Sequence, residues 1–171
     1  FTALRHACAS IVRRNVTMAY TNIAVQGTFV LMASAELLLD PSLQNYARQR
    51  LVRFAATVDE TGSFAEYNSP NYGRVTIANF TRMRMLVKDE EFVRLAGRLE
   101  ARMWLHLGKH WHAPTMQLAG PMSRCYTTDI GRPIWLQKAL GGRLPFATLE
   151  ELRQGLVRGP AETAILAYHC P

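Results

Sequence analysis

The sequence contains few cysteines, few lysines and no long apolar run. Its 171 residues include only three cysteines, and none of them forms a Cys-x-x-Cys pair, so neither a structural zinc site nor a disulfide framework is expected. The longest nearly apolar stretch, Phe29 to Leu39, falls well short of the about 20 residues that a membrane-spanning helix needs. We therefore expect no metal, no cofactor and no membrane partner.

Acidic residues are also in short supply. The chain has 20 lysines and arginines but only 13 aspartates and glutamates, which gives a net charge of +7. Such an excess favours an anionic partner: nucleic acid, anionic lipid or acidic sugar. The arginines are spread along the predicted helices, and aromatic residues do not alternate with them as they do on surfaces that stack single-stranded bases. We therefore expect no nucleic-acid partner.

The sequence does contain a segment that occurs three times in similar form. Similar segments begin at Tyr20, Tyr72 and Tyr126, at intervals of 52 and 54 residues. Each of the first two is followed by an apolar stretch, a break marked by aspartate, an amphipathic stretch and a polar loop. A period of about 50 residues that holds two helices indicates an array of helical hairpins. Because one hairpin cannot bury its apolar face alone, the hairpins are expected to stack side by side in an all-α fold.

Hydrophobic periodicity and helix-start signals predict the individual elements of this stack. The first hairpins are predicted from helices over Thr2 to Arg14, Tyr20 to Leu39 and Tyr72 to Val87, with a helix after Asp40-Pro41 that ends at Thr61-Gly62-Ser63 and another after Asp89 that ends near Gly108-Lys109. A further helix is predicted to begin near Tyr126 and to be interrupted at Gly131-Arg132-Pro133. Two short helices, Ile134 to Leu140 and Leu149 to Arg158, are predicted after it. The last stretch, Thr163 to Cys170, favours a strand. No linker divides the chain, so we expect a single domain over residues 1–171.

The first of three polar segments covers residues 64–72. Pro70 disfavours helix at Ser69, so we predict an extended segment before the next helix. In an extended chain Glu66 and Asn68 would point the same way and could both face a ligand. The alternative is that Asn68 or Ser69 caps the helix and that Glu66 is solvated.

The second polar segment is His110-Trp111-His112. Two histidines at alternate positions can share a face and act as acid, base or charge neutraliser near neutral pH. The alternative is that His110 ends the preceding helix, where a partly positive ring is favoured by the helix dipole.

The third polar segment brings Arg124 and Tyr126 close to Asp129. An arginine, a tyrosine and a carboxylate held after a Gly-Pro turn suit the binding of an acidic or hydroxyl-rich ligand. The alternative is that Asp129 caps the next helix and pairs with Arg124. Because Tyr72 and Tyr126 occupy equivalent repeat positions, we expect all three polar segments to emerge on the same side of the stack.

Several stretches of this sequence resemble one group of proteins. They are Glu66-Tyr-Asn-Ser-Pro-Asn-Tyr72, His110-Trp-His-Ala-Pro114, Leu118-Ala-Gly-Pro121 and Ser123-Arg-Cys-Tyr126 followed by Asp129. The resemblance, which covers roughly Asn15 to Leu140, is to an uncharacterised bacterial and fungal group placed among the six-hairpin, glycosidase-like (α/α) toroids. Its specific parts are the Asn-Ser-Pro-x-Tyr and Gly-Pro-x-Ser-Arg-x-Tyr motifs, and Asn71 stands where a threonine is expected.

The resemblance implies a partial (α/α) toroid of about three hairpins, where a full ring has six. The chain is then expected to be part of a larger toroid or to associate with itself. The toroid superfamily includes glycoside hydrolases and polysaccharide lyases, so the resemblance implies a carbohydrate partner. The positive charge fits an acidic polysaccharide. We predict an enzyme that cleaves glycosidic bonds, by hydrolysis or by β-elimination on uronate polymers.

Each chemistry assigns its own roles to the polar residues. In a hydrolase, Glu66 and Asp129 form the acid pair, and their separation decides between inversion and retention. In a lyase, an arginine, amide or histidine neutralises the uronate carboxylate while a tyrosine exchanges the proton. The predicted catalytic residues are Glu66, His110, His112, Tyr126 and Asp129, and the predicted substrate-binding residues are Asn68, Tyr72, Trp111 and Arg124. The alternative is a non-catalytic sugar-binding or structural scaffold, because a fold does not fix a function.

Overall fold

The computed structural model describes residues 1–126, 134–141 and 143, and these form an all-α fold with one short β-hairpin. Its elements are α1 (Thr2–Arg14), α2 (Thr21–Leu38), α3 (Pro41–Thr61), α4 (Gly73–Leu86), α5 (Glu90–His110), β1 (Trp111–His112), β2 (Gln117–Leu118) and α6 (Ile134–Ala139). The helical turn predicted between Tyr126 and Gly131, the helix predicted from Leu149 to Arg158 and the strand predicted from Thr163 to Cys170 lie outside the described residues. Within those residues, no helix combines the length and the apolar character that crossing a membrane requires.

The helices pack as two neighbouring hairpins. α2 packs on α3 and α4 packs on α5, and the two pairs also meet through α2 with α4 and α3 with α5. α1 also packs on α2. The predicted stacking of helical hairpins is therefore confirmed, and α2 and α4 form the inner contact of the stack.

The second helix of each hairpin begins at a capping aspartate, as predicted. The Asp40 side chain accepts a hydrogen bond from the backbone N–H of Leu43 at 3.0 Å, and Pro41 is the first residue of α3. The Asp89 side chain accepts one from Phe92 at 2.9 Å at the start of α5. Each cap satisfies a backbone donor that the helix itself leaves without a partner.

The sequence predictions differ from the structure at the end of α5. The helix runs to His110, beyond the Gly108-Lys109 end that we predicted, and the antiparallel hairpin of β1 and β2 follows at once. Leu107 is buried in the core, and His110 hydrogen-bonds the backbone of His106 one turn back. These contacts hold the last turn in place, although Gly108 alone would favour an earlier end.

The connection between α3 and α4 is fixed to the core by an aromatic residue. Phe64 is buried, and its ring lies 5.8 Å from that of Phe54 on α3 and 6.5 Å from that of Phe80 on α4. These contacts place the neighbouring residues of the connection against the inner helices, where the polar groups of the candidate site collect.

Candidate functional site

Residues 62–72, here called the 62–72 turn, do not form the extended segment that the sequence predicts. They follow a series of turns, with Asn68 in the left-handed region at a φ of 45°, a conformation that asparagine tolerates better than most residues. The prediction is wrong because the tertiary anchoring of Phe64 bends the chain, whereas the Ser69-Pro70 rule governs only one residue. The Ser69 hydroxyl accepts a hydrogen bond from the N–H of Tyr72 at 3.1 Å. The N-cap residue of α4 is Tyr72, which has no side-chain cap, so the alternative that Asn68 or Ser69 caps this helix is wrong as well.

Glu66 is turned into the protein at the start of α2. Its side chain is 3% exposed, so the alternative of a solvated carboxylate is also wrong. Its Oε2 accepts a hydrogen bond from the backbone N–H of Asn22 at 2.7 Å, while its own N–H donates to the Thr21 hydroxyl at 3.3 Å. Glu66 thus caps an inner helix whose N-cap residue, Tyr20, makes no side-chain cap of its own.

The second oxygen of this carboxylate faces Arg124. Glu66 Oε1 is buried and lies 3.6 Å from Nε of Arg124, and no described residue donates a hydrogen bond to it. The Arg124 side chain is 35% exposed. One end of the ion pair is therefore buried in the helix stack, and the other reaches solvent.

The loop that carries Arg124, residues 119–126, is held by the 62–72 turn. The Asn68 amide donates to the carbonyls of Ala119 at 2.7 Å and Pro121 at 2.9 Å. The Asn71 amide donates to the carbonyl of Arg124 at 2.9 Å. The Asn68 side chain therefore holds the loop in place by donating both of its amide protons to the loop backbone.

Three tyrosines surround the Arg124 guanidinium, and we call Tyr20, Tyr72 and Tyr126 the tyrosine cluster. The guanidinium carbon lies 4.8 Å from the ring centre of Tyr20 and 6.0 Å from that of Tyr72, within cation–π range. The Tyr72 and Tyr126 rings meet edge to face at 6.0 Å. These are the first residues of the three repeated segments, so the repeat brings its equivalent positions together at one end of the stack.

The two exposed hydroxyls of this cluster are electronically different. The hydroxyl oxygens of Tyr72 and Tyr126 lie 3.4 Å apart. When Tyr126 loses its proton, the Tyr72 hydroxyl donates to its oxygen; this hydrogen bond and a second from Arg124 lower the pKa of Tyr126. The same hydrogen bond with Tyr126 raises the pKa of Tyr72, and the one between Arg124 and Tyr126 raises the pKa of the guanidinium. Of the two tyrosines, Tyr126 is therefore the one whose phenolate form is stabilised by its neighbours.

The hydrogen bonds of His110 and His112 are to residues outside the tyrosine cluster. His110 Nδ1 donates to the carbonyl of His106 at 2.8 Å, and His110 Nε2 accepts from the Tyr67 hydroxyl. The exposed His112 ring pairs with the Thr115 hydroxyl at 2.9 Å within the β-hairpin. The alternative that His110 ends the preceding helix is confirmed, because His110 is the last residue of α5, whereas His112 is the second residue of β1.

The remaining predicted residues have other surroundings. Trp111 is half-buried and packs against the hydrophobic core. Asp129 lies outside the described residues, so the Glu66–Asp129 pair remains a prediction. In the part of the chain that the structure describes, no three histidine, cysteine, aspartate or glutamate side chains lie together as metal ligands.

The sequence model of one protein family, described as a domain of unknown function (DUF8769), matches residues 5–139. The chain belongs to the DUF8769 family. The matched region runs from α1 to α6 and contains Glu66, Arg124 and the whole tyrosine cluster. No curated protein and no solved structure matches the chain. The family description gives no activity, and membership of a six-hairpin toroid remains a prediction.

The structure brings together four of the predicted site residues and adds others. Glu66, Tyr72, Arg124 and Tyr126 form one connected group. Sequence reasoning missed Tyr20, although it stands at the head of the first repeat and could have been found by treating all three repeat positions alike. It also missed Tyr67, for which the sequence carries no comparable signal, because its partner His110 is 43 residues away.

Proposed function

We propose that this protein is a carbohydrate-active enzyme that cleaves glycosidic bonds in uronate-containing polysaccharides by β-elimination. The proposal depends chiefly on one observation: a half-exposed Arg124 guanidinium is held beside Tyr126, whose pKa is lowered. A cation that binds a carboxylate and a base next to it are the two groups that this reaction needs. The net charge of +7 favours the approach of a polyanionic chain.

Arg124 is suited to neutralising the substrate carboxylate. Its Nε side faces the buried Glu66, while the exposed part of the guanidinium is available to form a bidentate pair with a uronate carboxylate. The Tyr20 ring on one face restricts its orientation. The Arg124 backbone has a φ of 50°, a conformation that costs energy for a residue with a side chain and that is often found at functional sites.

Tyr126 can then move the proton. Its phenolate removes the hydrogen from C5 of the uronate, and the resulting negative charge spreads into the carboxylate that Arg124 neutralises. The electron pair forms the C4=C5 double bond as the C4–O bond breaks. The leaving sugar oxygen takes the proton back from Tyr126, which restores the phenolate, so the reaction is balanced without a cofactor.

Hydrolysis is the second chemistry that the sequence predicts. It would require a second carboxylate across the scissile bond from Glu66, and the candidate, Asp129, lies outside the described residues. Glu66 also uses Oε2 to cap α2. Because one oxygen of Glu66 caps a helix and the other faces Arg124, we favour elimination, in which Glu66 positions Arg124 and takes no part in proton transfer.

One observation favours a non-catalytic scaffold as the second candidate function. Glu66, Asn68 and Asn71 all make contacts that hold the fold together, and these contacts would be needed in a protein that only binds sugar or supports a larger ring. On this alternative the tyrosine cluster stacks on sugar rings without breaking a bond.

The deciding experiment incubates the protein with alginate, polygalacturonate and a glycosaminoglycan. Elimination produces the unsaturated sugar, which absorbs in the ultraviolet, whereas hydrolysis produces only new reducing ends. We expect ultraviolet absorbance on at least one polymer, loss of that activity in Tyr126→Phe and Arg124→Ala, and no loss in Arg94→Ala, which removes an exposed arginine on α5. Reducing ends without absorbance would overturn elimination, and binding without either product would support the scaffold.

A further inference from the structure

A small cavity lies beneath the 62–72 turn, next to α5. Its volume is about 10 Å³, and its lining includes Ser63, Glu66, Asn68 and His106. A cavity on the order of 10 Å³ is about the smallest that holds one water molecule, provided that two to four polar groups surround it. Both the size and the polar lining of this cavity therefore deserve a chemical explanation.

Each of these four residues carries a buried polar atom that no described residue satisfies. The atoms are Ser63 Oγ, Glu66 Oε1, Asn68 Oδ1 and His106 Nδ1. A buried polar atom without a partner destabilises the folded state, so four around one cavity are unexpected in a folded protein. Their concentration at a single cavity indicates a shared partner.

The hydrogen bonds of two of these residues fix the chemistry of their unsatisfied atoms. Asn68 donates both amide protons to the carbonyls of Ala119 and Pro121, so its remaining group is the acceptor Oδ1. His106 Nε2 lies 3.2 Å from the carbonyl of Gly62, so it carries the proton and donates. His106 Nδ1 is then an acceptor.

The shared partner must therefore be small and must donate hydrogen bonds. Three acceptors and one hydroxyl belong to the residues that line it. A water molecule can accept from the Ser63 hydroxyl and donate to two of the three acceptors, so one water satisfies three of the four atoms. A metal cation is disfavoured, because Nε of the positively charged Arg124 lies 3.6 Å from Glu66 Oε1.

We propose that this cavity is a binding site for one ordered water molecule, which accepts a hydrogen bond from Ser63 of the turn and donates to Glu66 and to His106 of α5. The water satisfies the second oxygen of Glu66 from the protein side and so helps to hold the carboxylate that faces Arg124. The site is independent of the proposed function, because it would be present in an enzyme and in a scaffold alike.

Two serine variants provide a matched test. Ser63 and Ser123 each have a buried hydroxyl without a described partner, but only Ser63 lines the cavity. Ser63→Ala removes one partner of the water, and Ser123→Ala removes a comparable hydroxyl elsewhere. Loss of one hydrogen bond should speed exchange of the water by about tenfold in Ser63→Ala, with no change in Ser123→Ala.

The measurements are a high-resolution crystal structure of the wild-type protein and magnetic relaxation dispersion of water in the three proteins. We expect one solvent peak within hydrogen-bond distance of at least three of the four atoms, and a long-lived water whose residence time shortens only in Ser63→Ala. A protein side chain at that position, a peak with metal coordination distances, or equal effects of the two variants would overturn the proposal. None of these measurements reads enzyme activity, so they fail or succeed separately from the elimination assay.

Discussion

In the described part of the chain, two buried glutamates, Glu66 and Glu100, face arginines, and their oxygens are hydrogen-bonded to different degrees. Glu100 is fully buried, with Oε1 accepting from the Thr81 hydroxyl at 2.7 Å and Oε2 from Arg84 Nε at 2.5 Å. Glu66 is 3% exposed, but only one of its oxygens has a hydrogen bond from a described residue, and its arginine is 3.6 Å away. The partner arginine side chains have similar exposure, at 30% and 35%.

The difference distinguishes a structural ion pair from one that can serve a ligand. A buried carboxylate whose oxygens both accept hydrogen bonds within the helix stack serves the fold and is not available to a substrate. At Glu66 the longer separation leaves Arg124 less tightly held, and Arg124 is surrounded by exposed tyrosines where Arg84 packs between helices. We therefore expect changes at Glu100 to affect stability and changes around Glu66 to affect activity.

The largest expected effect is on stability, from Glu100→Gln. The amide cannot accept from both Thr81 and Arg84, so a buried donor loses its partner, and we expect the free energy of unfolding to fall by about 3 kcal/mol. Glu66→Gln keeps an acceptor for the N–H of Asn22, and we expect a loss of about 1 kcal/mol. Urea denaturation of both variants tests this order, and equal losses would remove the distinction between the two pairs.

The second expected effect is on activity, from the two arginines. Arg124→Ala removes the group that neutralises the uronate carboxylate, so we expect kcat/KM for elimination to fall by about 100-fold with little change in the urea midpoint. Arg84→Ala should do the opposite, because Arg84 binds Glu100 on the neighbouring helix. Steady-state kinetics and denaturation of the same two preparations make the comparison. A parallel loss in both variants would show that Arg124 is only structural.

The third expected effect is on the pH dependence of activity. The base form of Tyr126 increases as pH rises toward its lowered pKa, so the rate should rise with pH and level off below about 10, the ordinary value for tyrosine. The hydrogen bond from Tyr72 is the largest cause of the lowering. Tyr72→Phe should therefore move the rising limb to higher pH, which a pH profile of kcat/KM measures. An unmoved limb would show that another group is the base.

The helices could be predicted because their signals are local. Asp40 and Asp89 cap the helices that follow them, and the apolar stripes repeat at helical spacing, so the predicted and observed bounds agree closely for α1 to α4. The site could be predicted only in part. The repeat pointed to Tyr72 and Tyr126, which do meet, because equivalent positions of stacked hairpins lie at the same end.

The rest of the site depends on contacts between residues far apart in the chain. Glu66 faces α2 because Phe64 is anchored in the core, and Asn68 is used for the loop because two carbonyls about 50 residues later come within reach. Asn71, which departs from the threonine that the resemblance predicts, donates its amide to the Arg124 carbonyl. No spacing rule in the sequence contains these pairings, so sequence reasoning grouped residues by type where the structure groups them by tertiary contact.

The smallest expected effect concerns His106, which lines the cavity beside Glu66. Burial lowers the pKa of His106, so the unfolded chain binds this proton more tightly than the folded protein. The contribution to stability is then complete above the ordinary pKa of about 6.5 and is lost as pH falls from there toward the lower pKa of the folded state. The free energy of unfolding should decline over that range in the wild-type protein.

Two histidine variants separate this effect from general acid denaturation. His106→Phe should flatten the decline below pH of about 6.5, because the group that gains a proton on unfolding is gone. His112→Phe removes an exposed ring that hydrogen-bonds Thr115 in the β-hairpin, and it is the matched control for loss of a histidine. Urea denaturation at several pH values between neutral and mildly acidic conditions provides the curves. If the free energy of unfolding of His106→Phe still declines over this range, the decline comes from the carboxylates. The surroundings of Glu66 would then be no more sensitive to pH than those of Glu100.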